Sequence, residues 1–129
     1  LGRMIYLDSC IVIYLVEKHP VYYTPLEAQF SQHLKEGFAI SPLVLLDFGS
    51  LHQTSYVALQ ERFERFFSLV TRLPMDEAIF IAAAAKRASS GLKTPDALHL
   101  AVAEHCSRKE FWTNDDRLKS ASPLVVNIV

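Results

Sequence analysis

Short apolar runs that end on a polar residue and hand over at once to a helical pattern constrain this chain more than any other feature. The first is Met4-Ile5-Tyr6-Leu7-Asp8-Ser9. Four apolar residues in a row read as a short strand buried on both faces, as in a parallel sheet covered by helices. Residues 38–40 and 111–113 repeat that reading, 70–73 could be a third strand and 124–129 is a final β-rich run, with helix-like segments between them. The alternation predicts an α/β fold: a central, mostly parallel sheet of about four or five short strands with helices on both faces. No repeat or linker divides the chain. The expectation is one domain over residues 4–129, with Leu1-Gly2-Arg3 a leader remnant ahead of Met4.

Punctuation between the runs sets the helices. Ile11, Val12, Tyr14, Leu15 and Val16 are apolar nearly all round, the mark of a deeply packed helix. His19-Pro20 ends it. Thr24-Pro25 predicts a capped restart, with Leu26, Phe30 and Leu34 on one buried stripe and Gly37 as the stop. Ser41-Pro42 opens another helix by the same device. Over 57–70, Leu59, Phe63, Phe66, Phe67 and Val70 face inward, and Glu61, Arg62, Glu64 and Arg65 outward. Asp76 caps an alanine-rich helix that ends in Lys86-Arg87 and Ser89-Ser90-Gly91. Thr94 and Pro95 fit the cap and first position of the next, which puts Asp96 in its first turn.

A net charge of -1 gives no global basic field. A nucleic-acid partner would have to be held by local patches or through a metal. Cys10 and Cys106 lack metal-ligand spacing and read as buried free thiols in a reducing cytoplasm, a disulfide being the alternative. No apolar run approaches the roughly 20 residues that span a bilayer. The expected location is cytoplasmic, without a membrane partner.

The acids carry the chemistry. Asp8 reads equally as a helix cap and as a carboxylate in the strand-end crevice where open α/β sheets bind ligands. Asp47 interrupts Leu43-Val44-Leu45-Leu46-Asp47-Phe48, so it needs a partner, an exposed position or a metal. Asp96 sits at the positive end of a helix, which suffices structurally and also favours the ionised form a metal needs. His99, at i+3, can line a site or pack as a hydrogen-bonded core residue. Asp115 closes the fourth apolar run. Right-handed βα units place Asp8, Asp96 and Asp115 on one sheet edge. Convergent carboxylates resist ionising together unless a cation is present, and oxygen-rich sites select hard ions such as Mg²⁺ or Mn²⁺.

The segments IYLDS, ISPLVLLDF, TPDALHLA and FWTNDDRL, in that order and spacing, resemble the PIN-domain ribonucleases, and especially the VapC-type toxins of toxin–antitoxin pairs. The resemblance implies a PIN-like fold and a Mg²⁺- or Mn²⁺-dependent endoribonuclease whose products carry 5′-phosphates. It matches Asp8, Asp96 and Asp115 to metal-binding acids, with Asp47 assisting. Thr113 matches the hydroxyl residue before the last acid, Ser9 supports the first, and Asp116 adjoins Asp115. It further implies an RNA substrate, a cognate antitoxin and a homodimer. Asp47 departs from the family, which usually has Glu there; one methylene less turns a direct metal contact into a water-mediated one. Lys86, Arg87, Lys93 and Arg117 are candidate RNA contacts, or simply solvated surface. One rival is a PIN-fold interaction module, weakly active or inactive, that binds an antitoxin-like partner. Another, a phosphoacceptor domain, expects an acid pair at the first strand, which the segment around Asp8 lacks.

Overall fold

Ile5, Tyr6 and Leu7 are wholly buried and form the middle strand of the sheet, β1 (Ile5–Leu7). The computed structural model describes residues 3–51, 56–107 and 109–129, apart from the side chains of 48–51, 56–59 and 107. The chain continues as α1 (Ser9–Glu17), α2 (Tyr23–Gln32), β2 (Phe38–Ile40), α3 (Leu43–Leu51), α4 (Tyr56–Phe67) and β3 (Thr71–Arg72). Then come α5 (Glu77–Ser90), α6 (Thr94–Val102) with a π-helical turn (Ala103–Ser107), β4 (Glu110–Thr113), a 3₁₀ turn (Asp116–Ser120) and β5 (Val125–Asn127). The described residues form a five-stranded sheet in the order β3-β2-β1-β4-β5, and every pairing is parallel.

Register follows from the pleat. Ile5 stands opposite Phe38 and Glu110, and Leu7 opposite Trp112. Successive side chains alternate between faces. Ile5, Leu7, Phe38, Ile40 and Trp112 therefore pack against α1, α2 and α4 through Ile11, Val12, Leu26, Phe30, Phe63 and Phe66. Tyr6, Ala39 and Phe111 turn the other way, onto Ile79 and Ala83 of α5 and Leu100 and Ala101 of α6. Both faces are covered at β1, β2 and β4, which is why those strands read as apolar runs, whereas Thr71 and Arg72 of the edge strand β3 are exposed. The chain winds outward from β1 to β3, then returns to lay β4 on the other side of β1. Such a reversal opens a crevice beyond the carboxyl ends of the two strands.

Several local expectations are corrected. α2 begins at Tyr23, so Thr24-Pro25 lies inside its first turn. A proline is tolerated there because first-turn N–H groups have no intrahelical partner. The His19 Nδ1 atom accepts from the backbone N–H groups of Val21 and Tyr22, at 3.1 and 3.2 Å, and organises the entry in place of Thr24. The helix stops at Gln32, short of Gly37, and Leu34 in the following turn is 54 % exposed rather than on the buried stripe. Arg62 does not simply face solvent: its Nε donates to the Val16 carbonyl at 3.1 Å, satisfying an acceptor left open at the end of α1. Phe63 and Phe66 are buried as expected, whereas the Leu59 side chain lies outside the described residues. α6 starts at Thr94 with Lys93 as its uncapped flank, a shift of one that leaves Asp96 in the first turn. Cys10 and Cys106 are not joined in a disulfide, and both are half-buried rather than buried.

α5 carries signals at both ends. Asp76 Oδ1 accepts from the Ile79 N–H at 3.2 Å, and Gly91, at φ 67°, closes the helix by donating to Arg87 O. Asp76→Ala is expected to destabilise the protein by about 1 kcal/mol, read from denaturant unfolding. An unchanged midpoint would show that the cap contributes nothing.

Candidate functional site

β1 and β4 bring the first acid to the crevice. The Asp8 N–H still belongs to the ladder, donating to Trp112 O at 3.0 Å, and its side chain turns over the strand end. Oδ1 accepts from the Ser9 N–H and Oδ2 from the Thr113 hydroxyl, each at 2.8 Å. The same Thr113 oxygen accepts from the Asp115 N–H at 3.1 Å, so one buried hydroxyl ties the two acid-bearing strand ends together. Asp8 is thus both a helix cap and a fixed carboxylate at the strand-end edge.

α6 delivers Asp96 by its first turn and α3 delivers Asp47. A cleft of about 380 Å³ is lined by Asp8, Ser9, Cys10, Asp47, Asp96 and His99, among others. Asp115 stands beside this cleft and does not line it. Its carboxylate caps the 3₁₀ turn through the Arg117 N–H and is gripped by the Arg117 guanidinium at 2.6 Å. Asp116 turns away, accepting from Asn127 Nδ2 at 2.6 Å.

The electrostatics differ from acid to acid. Burial, then the charges of Asp8 and Asp115, push the Asp96 carboxyl above the ordinary carboxylate range. The positive end of α6 favours an anion there, yet desolvation and repulsion win. Asp115 is held below that range by Arg117. Asp47 is also held low, chiefly by the His99 ring, whose Nε2 lies 3.8 Å from Oδ2, and further by Ser9, against the opposing effect of burial. Burial and Asp8 push the Cys10 thiol up to about 12, so it stays protonated and does not act as a thiolate.

His99 is the residue the sequence pattern undervalued. It is 2 % exposed, so it is a core residue, and its edge still lines the cleft. A signal was available: a tyrosine within a fully buried strand must find partners for its hydroxyl. Tyr6 finds Ser41 and His99, each at 2.7 Å. Of the expected basic residues, Arg87 and Lys93 are exposed and Arg117 clasps Asp115. Lys86 does not stand free for a phosphate: its ammonium is tied to Glu104 and to the Ala121 carbonyl, each at 2.9 Å.

The donor chemistry suits a hard divalent cation. Asp8, Asp96 and Asp115 offer carboxylate oxygens, and a cation would offset the burial and the Asp8 and Asp115 charges that raise the Asp96 carboxyl. Among the described residues, however, no three His, Cys, Asp or Glu side chains are gathered as a ready metal-binding group.

An all-parallel sheet that reverses its winding beside β1, with acids grouped beyond the strand ends, defines an α/β protein with an acid-lined switch-point cleft. A family model, the PIN domain, matches residues 5–122. The chain belongs to the PIN-domain family. No curated protein matches it closely. Among solved structures it is similar to FitAcB from Neisseria gonorrhoeae, with a TM-score of 0.80 and 21 % identity over 97 % of this chain and 98 % of the other. A toxin–antitoxin complex from Klebsiella pneumoniae matches with a TM-score of 0.78 and 21 % identity, over 96 % of this chain and 97 % of that one. VapBC2 from Rickettsia felis, bound to a DNA fragment from its promoter, matches with a TM-score of 0.76 and 22 % identity, over 95 % and 96 %.

Proposed function

We propose that the protein is a Mg²⁺- or Mn²⁺-dependent endoribonuclease, the toxin of a toxin–antitoxin pair, built as one domain over residues 4–129. The observation that carries this reading is the strand-end cleft lined by the carboxylates of Asp8, Asp47 and Asp96, with Asp115 tied to Asp8 through the Thr113 hydroxyl beside it. PIN domains are generally nucleases, and one of the similar structures named above is described as a toxin–antitoxin complex. A homodimer, a cognate antitoxin and a cytoplasmic location belong to the same proposal. Among the described residues no helix is long and apolar enough to cross a membrane.

Asp8, Asp96 and Asp115 would hold the ion, with Asp47 assisting from the cleft wall. A bound ion supplies positive charge against the phosphodiester oxygens and makes water more acidic. Ser9 and Thr113 keep both oxygens of Asp8 hydrogen-bonded, so the carboxylate is oriented before a ligand arrives. His99 and Ser9 keep Asp47 ionised. Exposed Arg87 and Lys93 can bind phosphates along the strand, and Arg117 can do so whenever it leaves Asp115.

The second reading is a PIN-fold interaction module of weak or no activity. It is favoured by the Arg117 grip on Asp115, which engages a carboxylate the ion would need. Incubation with a pool of structured and single-stranded RNAs separates the two. The endoribonuclease should give fragments with 5′-phosphate ends in Mn²⁺ and none in EDTA. Intact RNA throughout, from a protein that still captures a partner, would favour the module.

A further inference from the structure

The Asp8 and Asp47 carboxylates approach the same ring atom, His99 Nε2, at 3.6 and 3.8 Å. Ser9 Oγ is closer still, 3.0 Å from that nitrogen. The other end of the ring faces the core. Tyr6 donates its hydroxyl hydrogen to Ser41 Oγ at 2.7 Å. A phenol has one hydrogen, so at the 2.7 Å contact between Tyr6 and His99 the phenol oxygen accepts and Nδ1 carries the proton. Tyr6 is in turn fixed by stacking on Phe111, with ring centroids 5.4 Å apart. Ser41, Tyr6 and His99 are all buried. A continuous chain therefore runs from the start of α3 through β1 and α6 to the acid edge.

We infer that His99 is a positioning residue for the acid cluster: Tyr6 and Ser41 lock its ring so that Nε2 accepts from the Ser9 hydroxyl and fixes Ser9, whose N–H holds Asp8 Oδ1, on the cleft wall beside Asp8 and Asp47. The geometry explains why a polar ring occupies a buried position of α6 between Leu98 and Leu100. It also ties α3, the carrier of Asp47, to β1 and α6. Asp47 reaches the cleft from α3, whose neighbouring Leu45 and Leu46 are 49 % and 69 % exposed. Ring orientation set by an outer hydrogen bond is a general device for tuning an ion site.

The inference rests on the proposed ion-dependent reading, and its test is a Mn²⁺ titration by calorimetry. Tyr6→Phe keeps the stacked ring and removes the hydroxyl that accepts the Nδ1 proton and donates to Ser41. His99→Asn keeps a donor near Nδ1 and removes the group that meets Ser9. Both are expected to weaken Mn²⁺ binding, His99→Asn by roughly 10- to 100-fold and Tyr6→Phe by less. The double variant should bind no more weakly than His99→Asn alone, because Tyr6 acts only through the ring. A merely structural role would lower thermal stability and leave the Mn²⁺ affinity of the folded protein where it was. Wild-type affinity in folded Tyr6→Phe would overturn the inference even where His99→Asn fails to fold, and losses that simply add would overturn the chain as drawn. Failure of the wild type itself to bind Mn²⁺ would remove the underlying reading, and the inference with it.

Discussion

Asp96→Asn is expected to abolish RNA cleavage while making the ion-free protein more stable. Asparagine keeps the shape and the position in the first turn of α6 and removes the charge. The loss of activity should be roughly a hundred- to a thousandfold, because the ion that would face the developing charge loses a carboxylate ligand. The gain in stability follows from the raised Asp96 carboxyl, whose causes are burial and the charges of Asp8 and Asp115. An acid whose folded pKa lies above its unfolded value destabilises the fold whenever it is ionised. The advantage of the variant is therefore full at neutral pH. It fades as pH falls through the raised value and is gone below the ordinary value of 3.8, where the wild-type side chain is neutral in both states. Asp96 is partly exposed, so solvent screening limits the gain to a few tenths up to about 1 kcal/mol. Thermal melts of ion-free protein at neutral and acid pH read it directly. A variant less stable than wild type at neutral pH would show that the repulsion is not there.

The largest stability effect should come from Trp112→Ala. The indole is 1 % exposed and packs edge-on against Phe38 and His33, with ring centroids 5.3 Å away in each case. Its Nε1 donates to Glu110 at 2.8 Å. Truncation leaves a large void between β4 and the α1–α2 face and should cost about 3–5 kcal/mol. Domains of this size have about 5–15 kcal/mol in total, so the variant stands near the edge of folding. Trp112 also offers the carbonyl that receives the Asp8 N–H and precedes Thr113, so the acid edge loosens with the core. Trp112→Phe, which keeps an aromatic ring, should recover most of the loss. Chemical denaturation measures both; a cost below about 1 kcal/mol for alanine would mean that the cavity collapses.

The acid edge was legible wherever a local signal met a topological rule. Asp8 and Asp115 end apolar runs and Asp96 opens a helix, and parallel winding alone carries such positions to one edge. The bond from Thr113 to Asp8, which joins residues 105 apart, was foreshadowed only as a match to the family's hydroxyl position. His99 was harder because both readings of it are correct: its burial satisfies the helical pattern, while its polar edge depends on Tyr6 and Ser41 from other elements. The Arg117 grip on Asp115 was missed for a related reason, since sequence places both residues on one turn and says nothing of the rotamer that joins them. Arg62 and the entry to α2 fail likewise, each decided by an acceptor that periodicity does not register.

The central claim is that Asp8, Asp96 and Asp115 act as one cation site, and Mn²⁺ titration by calorimetry of the wild type beside Asp96→Asn tests it without a guess about substrate. The account predicts saturable binding by the wild type that the substitution removes. Equal binding by both proteins, or none by the wild type, would contradict it.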